Sequence, residues 1–161
     1  FPTADGRFHF RGDWALQGAD HAVMPELPDH LAITDEITEE CPFRLVAAPA
    51  RQFLNTSFTE LESGRKREGR PTAMVHPDSL DRLGIAEGDL VELGNARGAV
   101  RLHAVARDGQ HPGTIVVESI WPNPHWVGGI GINLLLGADA APPAGGAAIH
   151  DTAVWLRPAA G

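Results

Sequence analysis

The chain has 161 residues, a formal net charge of −8, 18 glycines, 13 prolines and one cysteine. That is enough for one domain with a proper core, or one domain plus an extension. Composition excludes several classes. No run of about 18 apolar residues is present to span a membrane, and no basic stripe offers a nucleic-acid-binding face. Cys41, standing alone, allows neither an internal disulfide nor a cysteine metal cage.

Taken in chain order, the acidity comes first. Residues 1–42 hold nine acids against Arg7 and Arg11, so they carry −7 of the total charge. No basic-then-apolar leader precedes them, so no secretion signal is expected in this chain. The compartment, cytoplasmic or periplasmic, stays open for a soluble chain. Phe1–Phe10 ends on an alternation that sets Phe8 and Phe10 on one side, as in an edge strand. Residues 11–42 show no sustained period and contain Pro25, Pro28 and Pro42. They read as an irregular connector, with a short helix around Asp35–Glu40. A long lead-in without a core of its own implies that it packs on something else.

The compact part begins with Phe43–Ala48, a buried strand ended by Pro49. A polar and aromatic loop, Arg51–Thr59, and a charged run, Ser63–Arg70, precede a strand at Thr72–His76. The next stretch reads as helix, turn and strand. Pro77 suits a first helical position, where its missing N–H needs no partner. Leu80 and Leu83 share a face, and Gly84 closes the helix with φ > 0. Gly88-Asp89 makes a turn in which the carboxylate accepts from nearby N–H groups, and an apolar strand follows at Leu90–Leu93. Arg97-Gly98 reads as a hairpin turn into Ala99–Ala106, whose alternation points Val100, Leu102 and Ala104 one way. Asp108-Gly109 and Pro112-Gly113 bracket a further turn before Thr114–Glu118. Trp121-Pro-Asn-Pro-His-Trp126 is a rigid aromatic loop, Val127–Leu136 is glycine-rich and then apolar, and Ala138–Gly146 is loop. Asp151–Arg157 is a closing strand. Six or seven short strands, one or two small helices and no βαβ alternation predict a mainly β fold, a closed barrel rather than a Rossmann sheet.

Pro77 to Val91 has the form Pro-x-x-x-x-x-Leu-Gly-Ile-x-x-Gly-Asp-x-Val. Together with Pro2-Thr-Ala-Asp-Gly-Arg-Phe, the Phe43-Arg-Leu-Val strand and its following loop, Pro112-Gly113, Trp121 and Asn133-Leu-Leu, this order resembles the C-terminal cofactor-binding domain of the molybdopterin oxidoreductases, the dimethyl sulfoxide reductase superfamily. The resemblance covers nearly the whole chain. It departs after Leu135, where Leu136-Gly-Ala-Asp139 and Pro142-Pro143 replace the family's Thr, Asp-Pro and Ser, and at Asp5, where a small hydroxyl residue is usual.

The resemblance implies a double-psi β-barrel with a few short helices. It divides the chain into a lead-in from the upstream part of an enzyme (1–42) and a molybdopterin dinucleotide-binding barrel (43–161). The implied ligand is molybdopterin guanine dinucleotide carrying molybdenum or tungsten. Any iron–sulfur cluster would belong to the upstream part, as would the metal ligand. Partners would be the upstream domains of the same polypeptide and electron-transfer subunits. The intact enzyme would transfer oxygen atoms or hydride equivalents, whereas this chain alone would clamp the pterin without turning over substrate.

Within that frame, Asn55, Thr56 and Ser57 supply one amide and two hydroxyls in a single turn, the groups that recognise a heterocycle edge. Arg51 suits phosphate or a pterin carbonyl. Phe53, Phe58 and Trp121 are candidates for cofactor wall or core. His125, His150 and Asn133, the last expected to be buried and in need of partners, complete the candidate set. Arg65, Lys66, Arg67 and Arg70 read as a solvated face, and Gly128-Gly-Ile-Gly131 is a candidate N–H nest. His76, His103 and His111 fall at strand ends or turns, and no metal-ligand spacing or nucleophile motif occurs. Two other double-psi readings compete. A substrate-recognition module of an AAA ATPase would lack the Arg51–Phe58 and Trp121–Asn133 pair. A self-processing decarboxylase needs Gly-Ser, and Ser63-Gly64 has the reverse order.

Overall fold

The computed structural model describes residues 1–11, 27, 29–118, 120–141 and 145–160. The elements in order are β1 (Phe43–Ala48), α1 (Glu62–Glu68), β2 (Thr72–Val75), α2 (Pro77–Leu83), β3 (Leu90–Asn95), β4 (Gly98–Ala106), β5 (Thr114–Glu118), β6 (Ala140–Ala141), β7 (Gly146–Ala147) and β8 (Thr152–Pro158). They fall into two compact units: Phe1–Thr34 with Ala138–Ile149, and Asp35–Gly137 with His150–Gly161.

In the first unit, β6 and β7 pair antiparallel. Residues 1–11 contain no strand, so the alternation at Phe8 and Phe10 does not make one. The segment folds on itself instead: Gly6, at φ 66°, donates its N–H to the Thr3 carbonyl, and the Asp5 carboxylate accepts from the Arg7 N–H. The three rings then pack edge to face, Phe1 on Phe8 at 5.4 Å and Phe8 on Phe10 at 4.9 Å. Half of the expected connector, residues 12–26 and 28, lies outside the described residues.

The second unit is a closed six-stranded barrel in the order β1-β5-β2-β4-β3-β8, with β8 returning to β1. Two pairs, β1 with β5 and β2 with β4, are parallel, and the others are antiparallel. Such parallel neighbours need crossover connections, here supplied by the α1 and α2 segments and the 107–113 turn. Alternation does the rest. Leu45, Val91, Leu102 and Ile115 are almost fully buried on the inner face, while the residues between them are not.

The β2–β3 connection shows how local sequence sets this geometry. Pro77 opens α2, and the His76 ring accepts from the Asp78 N–H at 3.2 Å. Gly84 closes the helix in the left-handed region, at φ 66°. The Asp89 carboxylate accepts from the Ala86 N–H at 2.8 Å, and Gly88 turns at φ 90°. Buried Ser79 ties the helix to the next connection by donating to the Pro112 carbonyl at 2.8 Å.

Strand directions sort the connections between the two barrel ends. α2 and the 107–113 turn lie at one end. The β1–β2 connection with α1, the β3–β4 turn, the exit from β5 and the entry to β8 lie at the other.

Two local expectations need correction. Asp35–Glu40 is not helical, because its Asp35 carboxylate is drawn onto Arg97 and the Ala153 N–H of the barrel. His103 is not at a strand end but within β4, opposite Leu90. There burial, and then the charge of Arg70, hold its pKa below the usual histidine value.

Candidate functional site

The candidate residues sit on connections at the second barrel end, and the structure joins some of them. The loop after β1 narrows to a two-residue turn. Leu54 and Ser57 exchange backbone hydrogen bonds of 3.2 and 2.8 Å, leaving Asn55 and Thr56 at the tip. Asn55 adopts φ 52°, a left-handed conformation that asparagine tolerates better than most residues. Thr59, buried, closes the loop by donating its hydroxyl to the Thr56 carbonyl at 3.0 Å. The Asn55, Thr56 and Ser57 side chains are exposed and form no hydrogen bond among the described residues. Phe58 is also exposed, at φ 67°, so it is not core. Phe53 is core: its ring is buried and meets Trp121 edge to face at 4.9 Å.

Trp121 carries the arrangement onward. Its ring lies 5.5 Å from the exposed His125 ring, and its carbonyl accepts from the buried Trp126 indole N–H at 3.0 Å. The 123–125 segment forms a single 3-10 turn. Together Trp121, His125, Gly69 and the α1 residues Glu62, Arg65 and Lys66 line a cavity of about 370 Å³. Arg51 falls on the other side of α1, in a 470 Å³ polar cavity with Gln52, Arg67, Glu68, Arg107 and Glu118.

Other candidates are not drawn in. Asn133 lies on a second 3-10 turn, Ile132–Leu135, which packs on β4 with Leu134 over Gly98. It is exposed, so the expectation of a buried amide is corrected: the turn buries Ile132 and Leu135 and leaves Asn133 facing outward. His150 is exposed beside Asp151, and no described contact links either residue to the Phe53–Trp121 pair. The glycines of 128–131 shape a turn, with φ 87° at Gly128 and 72° at Gly129. The charged run proves to be α1, and its arginines are not simply a solvated face. Arg65 donates to the Thr59 carbonyl at 2.7 Å, and Arg67 reaches the Gln52 side chain at 3.3 Å. Lys66 pairs on the surface with Glu62 at 2.8 Å.

Two charged clusters at the barrel were missed in the sequence. Asp35 takes Arg97 in a fork, both contacts at 2.8 Å, and Arg44 donates to the carbonyls of Asp35 and Asp151. The hydrogen bond from Arg97 holds the Asp35 pKa below its ordinary value against the opposing effect of burial. On the outer wall, Glu92 joins β3 to its neighbours through Arg157 on β8 at 2.9 Å and Arg101 on β4 at 3.0 Å. These two partners, Arg157 first, lower its pKa. The cross-strand pairing of Glu92 with Arg101 was readable from the hairpin register, whereas Asp35 to Arg97 spans a separation that no local pattern reveals.

Among the described residues, no group of histidine, cysteine, aspartate and glutamate could hold a metal, and no helix is long and apolar enough to cross a membrane. Residues 43–153 match the family model described as "Molydopterin dinucleotide binding domain". A probable oxidoreductase YoaE of Bacillus subtilis (strain 168) is 28% identical over 120 residues, covering 74% of this chain and 17% of that protein. A trimethylamine-N-oxide reductase of Haemophilus influenzae is 30% identical over 95 residues, covering 57% of this chain and 12% of that one. Among solved structures, acetylene hydratase from Pelobacter acetylenicus superposes with a TM-score of 0.68 at 17% identity, over 87% of this chain and 22% of its own. The chain thus spans less than a quarter of the length of each of these proteins.

Proposed function

The chain belongs to the family of molybdopterin dinucleotide-binding domains, and from that membership we propose that it serves as the cofactor-holding domain of a longer molybdopterin-dependent oxidoreductase. The observation that carries this reading is the contact between two segments far apart in sequence. Phe53, in the loop after β1, packs on Trp121, in the connection after β5, and exposed polar side chains flank the contact on both sides.

The donor set suits a pterin dinucleotide. Asn55, Thr56 and Ser57 present an amide and two hydroxyls that no described protein group uses. Such neutral groups match the mixed donors and acceptors of a pterin edge. Arg51, which forms no ion pair among the described residues, shares its cavity with Arg67 and Arg107, and guanidinium groups suit phosphate oxygens. Exposed Phe58, and His125 beside Trp121 in one cavity, stand at the same end of the barrel. Asn133 and His150 belong to a wider rim in this reading, reached by a long ligand rather than by the Asn55 turn. The bound cofactor, with molybdenum or tungsten and in its guanine form, would supply the redox chemistry and pass electrons through its pterins. This chain's residues would hold and orient it. Upstream domains of the same polypeptide would supply the metal ligand, the substrate pocket and any iron–sulfur cluster, and separate subunits would take up electrons.

The test is metal and pterin content. In the purified full-length protein, Asn55→Ala combined with Ser57→Ala should lower both together while the thermal midpoint stays within a degree or two. Unchanged pterin and metal in that double variant would remove these residues from the binding site.

A further inference from the structure

The loop that carries Asn55, Thr56 and Ser57 is gripped at both ends by one short helix. At its start, the Glu68 carboxylate accepts from the Gln52 backbone N–H at 2.6 Å. At its close, the Arg65 guanidinium donates to the Thr59 carbonyl at 2.7 Å. Arg67 adds a weaker contact, 3.3 Å to the Gln52 side-chain oxygen. Between these points Gly64 lies buried under the loop. A Cβ built there would stand 3.2 Å from the Phe53 ring and 3.5 Å from the Gln52 carbonyl oxygen. The helix therefore approaches the loop at its one residue without a side chain and reaches around it with two charged ones.

This arrangement has no equivalent at the Asn55–Thr56 tip itself, whose side chains touch no described hydrogen-bonding group. The two bonds to Glu68 and Arg65 are charge-assisted, the stronger class of hydrogen bond. They fix the backbone on either side of Phe53 and of the Leu54–Ser57 turn. Fixing a loop before binding removes the ordering cost that binding would otherwise bear.

We infer that α1 is a brace for the ligand-contacting loop, with Glu68 and Arg65 as positioning residues that hold Asn55, Thr56 and Ser57 in their binding arrangement. The inference rests on the proposed function, because it takes the loop as a contact for the pterin. Both residues also line cavities beside the loop, Arg65 with Trp121 and His125 and Glu68 with Arg51, and the loop exchange measured without cofactor separates their bracing role from any contact there. Each acts through a backbone group of the loop, so its removal loosens the loop while leaving the barrel's six strands intact.

The experiment uses the full-length protein, purified with and without cofactor. Amide hydrogen exchange is followed through residues 52–59 in the cofactor-free form, and pterin content is measured in the loaded form. Glu68→Ala and Arg65→Ala should each speed exchange of the loop amides about tenfold, the factor matching one lost hydrogen bond. Both should lower pterin content, with the thermal midpoint falling by no more than about 2–5 °C. Glu68→Gln and Arg65→Lys, which keep an acceptor and a donor in place, should restore part of both readouts. Asn55→Ala, at the tip, should lower pterin content and leave exchange unchanged. Wild-type exchange in the two alanine variants would overturn the brace. So would faster exchange at full pterin content when Asn55→Ala has lost pterin. Full pterin content in Asn55→Ala would instead count against the loop as a ligand contact, and the exchange data would still decide whether α1 orders it.

Discussion

Replacing Asp35 by alanine tests how the end of the lead-in is joined to the barrel. The Asp35 side chain is 28% exposed and Arg97 is 31% exposed. The carboxylate takes two contacts of 2.8 Å from that guanidinium and one of 3.2 Å from the Ala153 N–H. Hydrogen bonds to charged groups contribute about 1.5–3 kcal/mol each, and solvent screening of a partly exposed pair reduces the net to about 1–2 kcal/mol. For a chain of this size that is a fall of about 3–6 °C in the melting temperature. The effect must also depend on pH in a defined direction. Arg97 depresses the folded-state pKa of Asp35 below its ordinary value. The carboxylate's contribution is therefore complete above the unfolded value of about 3.9 and is lost as pH falls through the lower folded value. Thermal melts of wild type and Asp35→Ala at pH 7 should differ by the full amount, and their difference should shrink below about pH 4. A difference that stays constant down to pH 2.5 would refute the electrostatic account. So would a double cycle with Arg97→Ala that shows no coupling.

Three further substitutions separate steric, backbone and packing costs. Gly94→Ala should destabilise by about 1–3 kcal/mol through overpacking, because its Cβ would lie 2.3 Å from the Trp155 ring and 2.7 Å from the Gly98 carbonyl oxygen. Denaturant unfolding checks this, and adding Trp155→Ala should recover only the part due to the ring. Gly84→Ala meets no atom within 4 Å but keeps φ 66°, so its cost, about 1–2 kcal/mol, should come from the backbone alone. Asparagine there should be milder, and equal losses for the two would contradict this. Phe53→Ala should cost about 3–5 kcal/mol as a buried aromatic truncation and should also free Trp121, read as a shift in tryptophan fluorescence.

The barrel strands were legible because each one carries its own pattern. Ala99–Ala106 alternates, and Pro77, Gly84 and Gly88-Asp89 each impose a backbone conformation through their covalent structure. The same reasoning failed at Phe8 and Phe10, since alternation is a half-statement that needs a partner strand to complete it. It failed also at Asp35–Glu40. Glutamates and a threonine suit a helix or an extended chain equally, and the choice fell to Arg97, 62 residues away. Within the candidate site, the loop and Trp121 could be named in advance, but Glu68 and Arg65 could not. A run such as Ser63–Arg70 looks like solvated surface in any sequence. Only the path of the loop beside α1 turns two of its charges toward backbone groups.

The exposure of the candidate residues bears on how such a site could work. Ligands of this size are held with most of their surface buried, yet Arg51, Asn55, Thr56, Ser57, Phe58, His125, Asn133 and His150 are all exposed, and Trp121 alone of the set is buried. On the proposed reading this end of the barrel is one wall of a site, and Phe53, Trp121 and Trp126 are buried beneath it. On the proposed reading, the opposing wall comes from the remainder of a much longer polypeptide, of which the matched relatives show more than four fifths beyond this region. A single wall binds weakly, since the contacts it makes must offset the full loss of ligand freedom. Pterin retention should therefore depend steeply on the loop being ordered in advance, and it is the brace of α1, rather than any one tip residue, whose loss should be felt most.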